Sequence, residues 1–262
     1  MKAKGVRMRT KSLPAELVNR IHRARHVVVL TGAGVSADSG VPTFRDAQTG
    51  TWRHYDPMTL ASPEAFAEHP ERVAQWYDHR RQMALRCMPN AAHDGLAELE
   101  AWLTERGSRF TLLTQNVDRL HQRAGSRNVW EMHGSLLRWR CVNCGEERVE
   151  QQPEPFDEHP PRCAKCGGSR RPCVVWFGEA LPEQALTAAD EAVADCDAFL
   201  SVGTMAVVFP VAGYIYRAMA REDVLTCEIN PSETDATPGF DFRLADRAAN
   251  AVAALVRAAT GG

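Results

Sequence analysis

The sequence predicts a doubly wound, mostly parallel α/β sheet interrupted by a small metal-stapled module. Three observations predict it. Short apolar runs alternate with amphipathic helical stretches over most of the chain, the pattern left by successive β-α-β units. The first run, Val27-Val28-Val29-Leu30-Thr31, opens directly into a glycine-rich turn, Gly32-Ala33-Gly34-Val35-Ser36-Ala37. Between Arg140 and Arg171 the alternation stops, apolar residues thin out, and two C-x-x-C pairs appear.

Residues 14–25 read as a helix with Leu17, Val18 and Ile21 on one face. The strand at 27–31 and its turn follow. Residues 46–53 are polar and rich in Gly and Thr and read as a mobile loop. Residues 63–67 and 70–86 read as helices, each with Pro in its first turn. Residues 92–106 form a helix with Gly107 placed to end it. A second buried strand at 110–114 runs into Gln115-Asn116-Val117-Asp118, and a short helix stops at Gly125. A third strand at 129–132 ends at His133-Gly134. After the middle segment come a strand at 174–177, a helix at 183–194, a strand at 198–202, a helix at 210–221, a strand at 224–229 and a helix at 247–259. No internal repeat or low-complexity tract is evident.

The 262 residues are 44% hydrophobic and 24% charged, with a net charge of −2, as in an ordinary soluble globular protein. That balance gives no general affinity for nucleic acid or anionic membrane. No apolar run approaches the roughly 18 residues of a membrane span. Residues 1–12 carry Lys2, Lys4, Arg7, Arg9 and Lys11 without an apolar segment, which reads as a disordered basic tail rather than a secretory signal. A cytoplasmic protein is expected, with its eight cysteines reduced or metal-bound.

Cys141-x-x-Cys144 and Cys163-x-x-Cys166 stand 18 residues apart, and a Gly follows each pair. Four thiolates at this spacing suit one tetrahedral, structural Zn²⁺; an iron–sulfur centre or a redox pair is the alternative. Arg and Glu are interspersed through the segment and aromatics are few, which argues against nucleic-acid stacking. The metal's expected work is to staple a module too poor in apolar residues to form its own core. Cys87, Cys173, Cys196 and Cys227 lack such spacing and read as buried apolar residues.

Ligands of open α/β sheets bind beyond the carboxyl ends of the strands. Three polar clusters sit at such ends: the glycine turn, Gln115-Asn116-Val117-Asp118, and His133, a candidate general base. They should converge in one crevice. G-x-G-x-x-A is a dinucleotide fingerprint, and the extension Asp38-Ser39-Gly40-Val41-Pro42-Thr43-Phe44-Arg45 suggests a loop that covers its ligand and offers it a cation. His121, on the short helix, reads as a structural residue able to pin the loop by a side-chain hydrogen bond. Tyr77 and Arg80, three apart in the 70–86 helix, share a face where a guanidinium could grip a carboxylate and a phenol could add a hydrogen bond.

Taken together, the glycine turn with its extension, Thr114-Gln-Asn-Val-Asp-Arg-Leu-His, Glu131-Met-His-Gly-Ser, the two cysteine pairs and Val174-Val-Trp-Phe-Gly-Glu resemble the sirtuins, NAD-dependent protein-lysine deacylases, in family order over roughly residues 15–260. The resemblance implies a discontinuous Rossmann-like NAD-binding domain at 13–45, 87–137 and 172–260. It places a helical cofactor-loop and acyl-pocket module at 46–86 and a zinc-binding module at 138–171. His133 would be the base. Gly32, Ala33, Gly34 and Ser36 would line the NAD diphosphate, and Phe44, Arg45 and Trp52 would belong to the cofactor loop. Gln115 would meet the nicotinamide ribose; Asn116, Val117 and Asp118 would form the nicotinamide pocket. Gly203, Thr204, Met205 and Asn230 would hold the phosphate and adenosine side. Phe177, Gly178 and Glu179 would bind the peptide. Tyr77-x-x-Arg80 and Ala61 match the class that removes succinyl and malonyl groups, with acetyl accepted as well; the products would be nicotinamide and O-acyl-ADP-ribose. Met205 departs from the Ser usual at that position, and no residue of 244–247 matches the adenine contact. The implied partners are acyl-lysine proteins or peptides, with no membrane and no specific nucleic acid, and a monomer is expected. The competing readings are a mono-ADP-ribosyltransferase using the same crevice and a non-catalytic NAD or zinc interaction module.

Overall fold

The computed structural model describes residues 6–8, 13–41 and 60–261, with backbone alone for 6–8. Seven strands form one parallel sheet in the order β1-β10-β9-β8-β2-β3-β4. They are β1 (Val6–Met8), β2 (His26–Thr31), β3 (Arg109–Thr114), β4 (Val129–Glu131), β8 (Ala198–Val202), β9 (Leu225–Ile229) and β10 (Phe242–Leu244). β2, β8 and β9 are buried along their whole length, as continuous apolar runs covered on both faces must be.

The covering helices are amphipathic. α1 (Ala15–Arg23), α4 (Ala91–Glu105) and α8 (Ala248–Thr260) close one face, with Leu17, Ile21, Leu96, Leu99, Leu103, Val252 and Leu255 in a single cluster with Val27, Val29 and Leu112. Gly95 lets α4 approach α8; a Cβ there would lie 3.4 Å from Val252 Cγ1, at the limit of easy contact. α6 (Glu183–Asp195) and α7 (Gly213–Met219) close the other face over Val28, Leu30, Leu113 and Phe199.

The second sheet is small and antiparallel, in the order β6-β5-β7: β5 (Gly134–Cys141), β6 (Glu147–Val149) and β7 (Arg170–Val174). Its apolar side packs on α3 (Pro70–Arg86), which follows the short α2 (Pro63–Glu68). Trp139, Leu136, Leu137 and Trp176 meet Val73, Ala74, Tyr77 and Ala84 there. The stapled module thus borrows its core from the inserted helices.

Two expectations need correction, and one strand was not foreseen. Residues 6–8 are not part of a disordered tail but a strand in register with 242–244. β10 itself has too short an apolar run to read as a strand, and the ladder between β1 and β9 makes it one. Residues 174–177 are not a strand of the parallel sheet: the strand is 170–174 and pairs with β5, so the small sheet spans 134–174.

Candidate functional site

The chain runs β2, β3, β4 in one direction across the sheet and then returns to place β8 on the other side of β2. This is the topological switch point, where the carboxyl ends open a crevice. The turns after β2, β8 and β9 are stitched together there by backbone. Gly32 N donates to Val202 O at 3.0 Å, Gly34 N to Gly203 O at 2.8 Å, and Gly203 N to Ile229 O at 2.9 Å. The approach is possible only without side chains. A Cβ on Gly203, whose φ is +62°, would lie 2.5 Å from Val35 N, and one on Gly34 would lie 2.8 Å from Gly203 O. Thr204 closes the join: its hydroxyl accepts from Gln115 Nε2 at 2.9 Å and its carbonyl from Asn230 Nδ2 at 2.8 Å. Met205, by contrast, is exposed. Gly32, Ala33, Gly34, Gln115, Gly203, Thr204 and Asn230, picked from separate stretches of sequence, meet in one place. Phe44, Arg45 and Trp52 lie outside the described residues.

A buried polar cluster forms the inner wall. The Ser36 hydroxyl donates to Asp118 Oδ2 at 2.8 Å and accepts from Asn116 Nδ2 at 3.0 Å. Asp118 Oδ1 accepts from Leu120 N at 2.9 Å. Burial pushes the Asp118 carboxyl above the usual carboxylate range, against the pull of those hydrogen bonds. Beneath the cluster, Thr31 donates to Thr114 at 2.8 Å, so the His121 Nε2–H donates to Thr31 Oγ1 at 3.0 Å. His121 thus pins the strand end that carries the glycine turn. His93 was not foreseen. Its Nδ1 accepts from Asn90 N at 3.2 Å, capping α4, and its Nε2 lies 3.4 Å from Ser36 Oγ. The Asn90-x-x-His93 capping pattern was the available signal. Burial holds His93 down to about 4 and His121 well below the ordinary imidazole range, so both are neutral.

His133 follows β4. Gly134, at φ +75°, turns the chain into β5 with no room for a Cβ, which would lie 1.9 Å from Cys173 O. The Gln115 carbonyl can only accept, so it fixes the proton on His133 Nδ1 at 3.2 Å and leaves the Nε2 lone pair free among the described residues. Burial lowers the pKa of this half-buried ring, so it is neutral near pH 7.

The inserted helices and the segment after β7 form the outer wall. Phe177 N donates to Ala61 O at 2.9 Å. Glu179 accepts from both Arg171 nitrogens, at 2.6 and 2.9 Å, and from Trp176 N at 2.9 Å, which fixes the Phe177-Gly178-Glu179 turn. Phe177 is left exposed. Tyr77 is buried with its ring centroid 6.0 Å from that of Trp176, and burial pushes its phenol up to about 12. The Arg80 guanidinium lies 4.6 Å over the Trp76 ring and 5.6 Å over the Tyr77 ring. Among the described residues it meets no carboxylate. The predicted sharing of a helix face holds.

The four cysteine sulfurs lie within 4.8 Å of one another, with Cys141 and Cys166 at 3.4 Å and Cys144 and Cys163 at 3.7 Å. A tetrahedral Zn²⁺ with Zn–S near 2.3 Å would need sulfur–sulfur edges of about 3.8 Å. The donor set and its geometry fit that ion. Cys173, Cys196 and Cys227 stand apart from the cluster, and burial raises each thiol above its ordinary range.

A glycine-stitched crevice at the switch point of a parallel sheet, with a four-cysteine module beside it, defines a Rossmann-like dinucleotide-binding α/β protein. The chain belongs to the Sir2 family, whose model matches residues 32–210. It is 48% identical to an NAD-dependent protein deacylase of Methylococcus capsulatus over 87% of this chain and 91% of that one. It is 41% identical to the mitochondrial NAD-dependent protein deacylase sirtuin-5 of Xenopus tropicalis, over 92% and 85% of the two chains. Among solved structures, it superposes on a Sir2 homologue in complex with NAD with a TM-score of 0.88, at 41% identity over 97% of both chains.

Proposed function

We propose that this protein is an NAD-dependent protein-lysine deacylase that prefers acidic acyl groups, succinyl and malonyl, and accepts acetyl-lysine as well. The observation that carries the acyl preference is the Tyr77–Arg80 pair. It offers a cation stacked on aromatic rings, without a carboxylate of its own among the described residues, beside a phenol that stays protonated. A carboxylate at the end of an acyl chain can take the guanidinium fork and the phenol together. Ala61, with its small side chain, leaves room beside them.

NAD, when bound, supplies the electrophilic ribose carbon and nicotinamide as leaving group. The chain's own residues do the rest. Gly32, Ala33 and Gly34 bring bare backbone to the diphosphate, with Ser36 alongside and Phe44, Arg45 and Trp52 in the covering loop. Gly203, Thr204, Met205 and Asn230 hold the phosphate and adenosine side. Asn116, Val117 and Asp118 grip the nicotinamide amide in a pocket that burial keeps dry. Gln115 holds the ribose and fixes the tautomer of His133, whose Nε2 takes a proton from a ribose hydroxyl. An extended acyl-lysine peptide adds as a strand against Phe177, Gly178 and Glu179. Support comes from a Sir2 structure bound to a deacetylated p53 peptide and 3′-O-acetyl-ADP-ribose, which superposes with a TM-score of 0.79 at 29% identity. The protein acts as a cytoplasmic monomer, and the zinc module serves structure rather than catalysis.

Arg80→Met tests the acyl preference. Removing a buried hydrogen-bonded charge partner costs about 1.5–3 kcal/mol, so kcat/KM for a succinyl-lysine peptide should fall about 10- to 100-fold, far more than for the acetyl form. Equal losses on both peptides contradict the preference.

A further inference from the structure

Asp78 and Arg81 each follow a residue of the acyl-reading pair, about 100° further round α3. They are among the most deeply buried charges in the molecule, each 1% exposed. Arg81 Nε and Nη2 donate to Asp78 Oδ1 at 2.8 and 2.6 Å. The same guanidinium donates to the backbone carbonyls of Gln152 and Glu154 and lies 4.4 Å over the Phe156 ring. Asp78 Oδ2 accepts from Phe156 N and His159 Nε2, both at 3.0 Å, and from Gln82 Nε2 at 3.2 Å. One ion pair on one helix thus grips four residues of the 152–159 segment.

That segment has no helix or strand of its own. It lies between the two cysteine pairs, so its ends are set by the metal cluster and its middle by Asp78 and Arg81. A buried ion pair is a poor device for stability alone, since apolar residues of the same volume serve as well or better. What the pair supplies is direction. Its hydrogen bonds fix how far α3 is turned about its axis and where it sits against the stapled module. Tyr77 and Arg80 lie on the same two turns of that helix, so their aim is fixed with it.

We propose that Asp78 and Arg81 are positioning residues for Tyr77 and Arg80, through which the zinc-stapled segment sets the selectivity for acidic acyl groups. The proposal rests on the acidic-acyl reading above. It gives the zinc-stapled module a part in substrate choice: the metal orders the segment, the segment holds the ion pair, and the ion pair aims the acyl-reading face. The hydrogen bonds of Asp78 and Arg81 go to each other, to Gln82 and to the 152–159 segment, and to no residue of the glycine-stitched crevice.

The test is steady-state kinetics of the zinc-loaded full chain on one peptide carrying succinyl- or acetyl-lysine, with KM for NAD, bound zinc and Tm measured alongside. Arg81→Lys keeps a cation beside Asp78 but loses the fork to the two carbonyls. Asp78→Asn keeps the shape. Both should stay folded with one zinc per chain, even where Arg81→Met does not. A misaimed carboxylate grip should raise KM for the succinyl peptide about tenfold, with kcat, KM for NAD and KM for the acetyl peptide each within about threefold of the wild type. Parallel losses on both peptides, or no change on either in the folded variants, overturn the proposal. Arg80→Met separates the two readings. If it collapses succinyl selectivity and Arg81→Lys does not, the acyl preference stands and the positioning role falls. If the wild type shows no succinyl preference for Arg80→Met to remove, both fall.

Discussion

The parallel sheet and the small antiparallel sheet are held together by opposite means. In the first, β2, β8 and β9 are buried throughout, and helices on both faces supply two continuous apolar layers. In the second, β6 is wholly exposed, and the sheet's few large apolar residues, Leu136, Leu137 and Trp139, pack against residues of α3. The first needs only burial to fold; the second needs four cysteines and a set of directed polar contacts. The difference matches the division of labour. The cofactor crevice is built from backbone packed so tightly that side chains are excluded, so it tolerates little variation. The outer wall is built from side chains on α3, which is held to the stapled module by specific polar links.

Removing the metal should separate the two regions most sharply. Structural zinc supplies about 10–16 kcal/mol of apparent binding free energy that a module of this kind converts into folding. Cys163→Ser, or chelation of the wild type, should abolish deacylation while far-UV circular dichroism keeps most of its helical signal, because both apolar layers of the parallel sheet lie outside the module. Loss of all structure in one step would show that the regions are not separable.

Glycine substitutions give a finer comparison. Gly203→Ala forces a Cβ to 2.5 Å from Val35 N at a φ of +62°, with only backbone to give way. It should weaken NAD binding at least tenfold and lower stability by about 1–3 kcal/mol, read by titration calorimetry and urea unfolding. Gly145, beside Cys144 at a φ of +72°, has nothing within 4 Å of the same added atom. Gly145→Ala should cost only the backbone strain, about 1–2 kcal/mol, and leave NAD affinity unchanged. Equal effects on NAD would contradict the exclusion argument.

Acid should weaken the parallel-sheet half through two buried imidazoles. Desolvation, joined at His26 by the Arg109 charge, lowers His26 and His93 to about 4. Both rings bind protons more readily unfolded than folded. The stability they confer is therefore complete above the unfolded imidazole value of about 6.5 and is lost as pH falls from there toward 4. Urea midpoints at pH 7, 5.5 and 4 should drop across that window, and His93→Gln should shrink the drop. His133 is lowered in the same direction, so the acidic limb of kcat/KM should lie below the ordinary imidazole value.

Most of the parallel sheet was legible because buried strands and amphipathic helices write their periods into the sequence. β1 and β10 were not, because strands of three residues exist through their neighbours' ladders rather than their own pattern. The strand at 170–174 was misplaced because Arg170-Arg171-Pro172 reads as loop; Arg171 is in fact buried against Trp176, its guanidinium 3.3 Å from the ring centroid. That the glycine turn and Gln115 sit together at the strand ends was legible from motif and strand-end position, Gly203, Thr204 and Asn230 only from the resemblance, and the four cysteines from spacing alone. Asp78, Arg81 and the contact of His93 with Ser36 were not, because each joins partners more than 50 residues apart, which no local pattern records.

The central claim is that this Sir2-family chain uses NAD, with His133 as base, to remove acyl groups from lysine and favours acidic ones. The most direct measurement is product formation from one lysine peptide in its succinyl, malonyl and acetyl forms, with and without NAD, by wild type and His133→Ala. The account predicts NAD-dependent O-acyl-ADP-ribose, with the acidic forms used faster, and a loss of about 10²–10⁴-fold in the His133→Ala enzyme. Turnover that does not need NAD, or a His133→Ala enzyme as active as wild type, would contradict it.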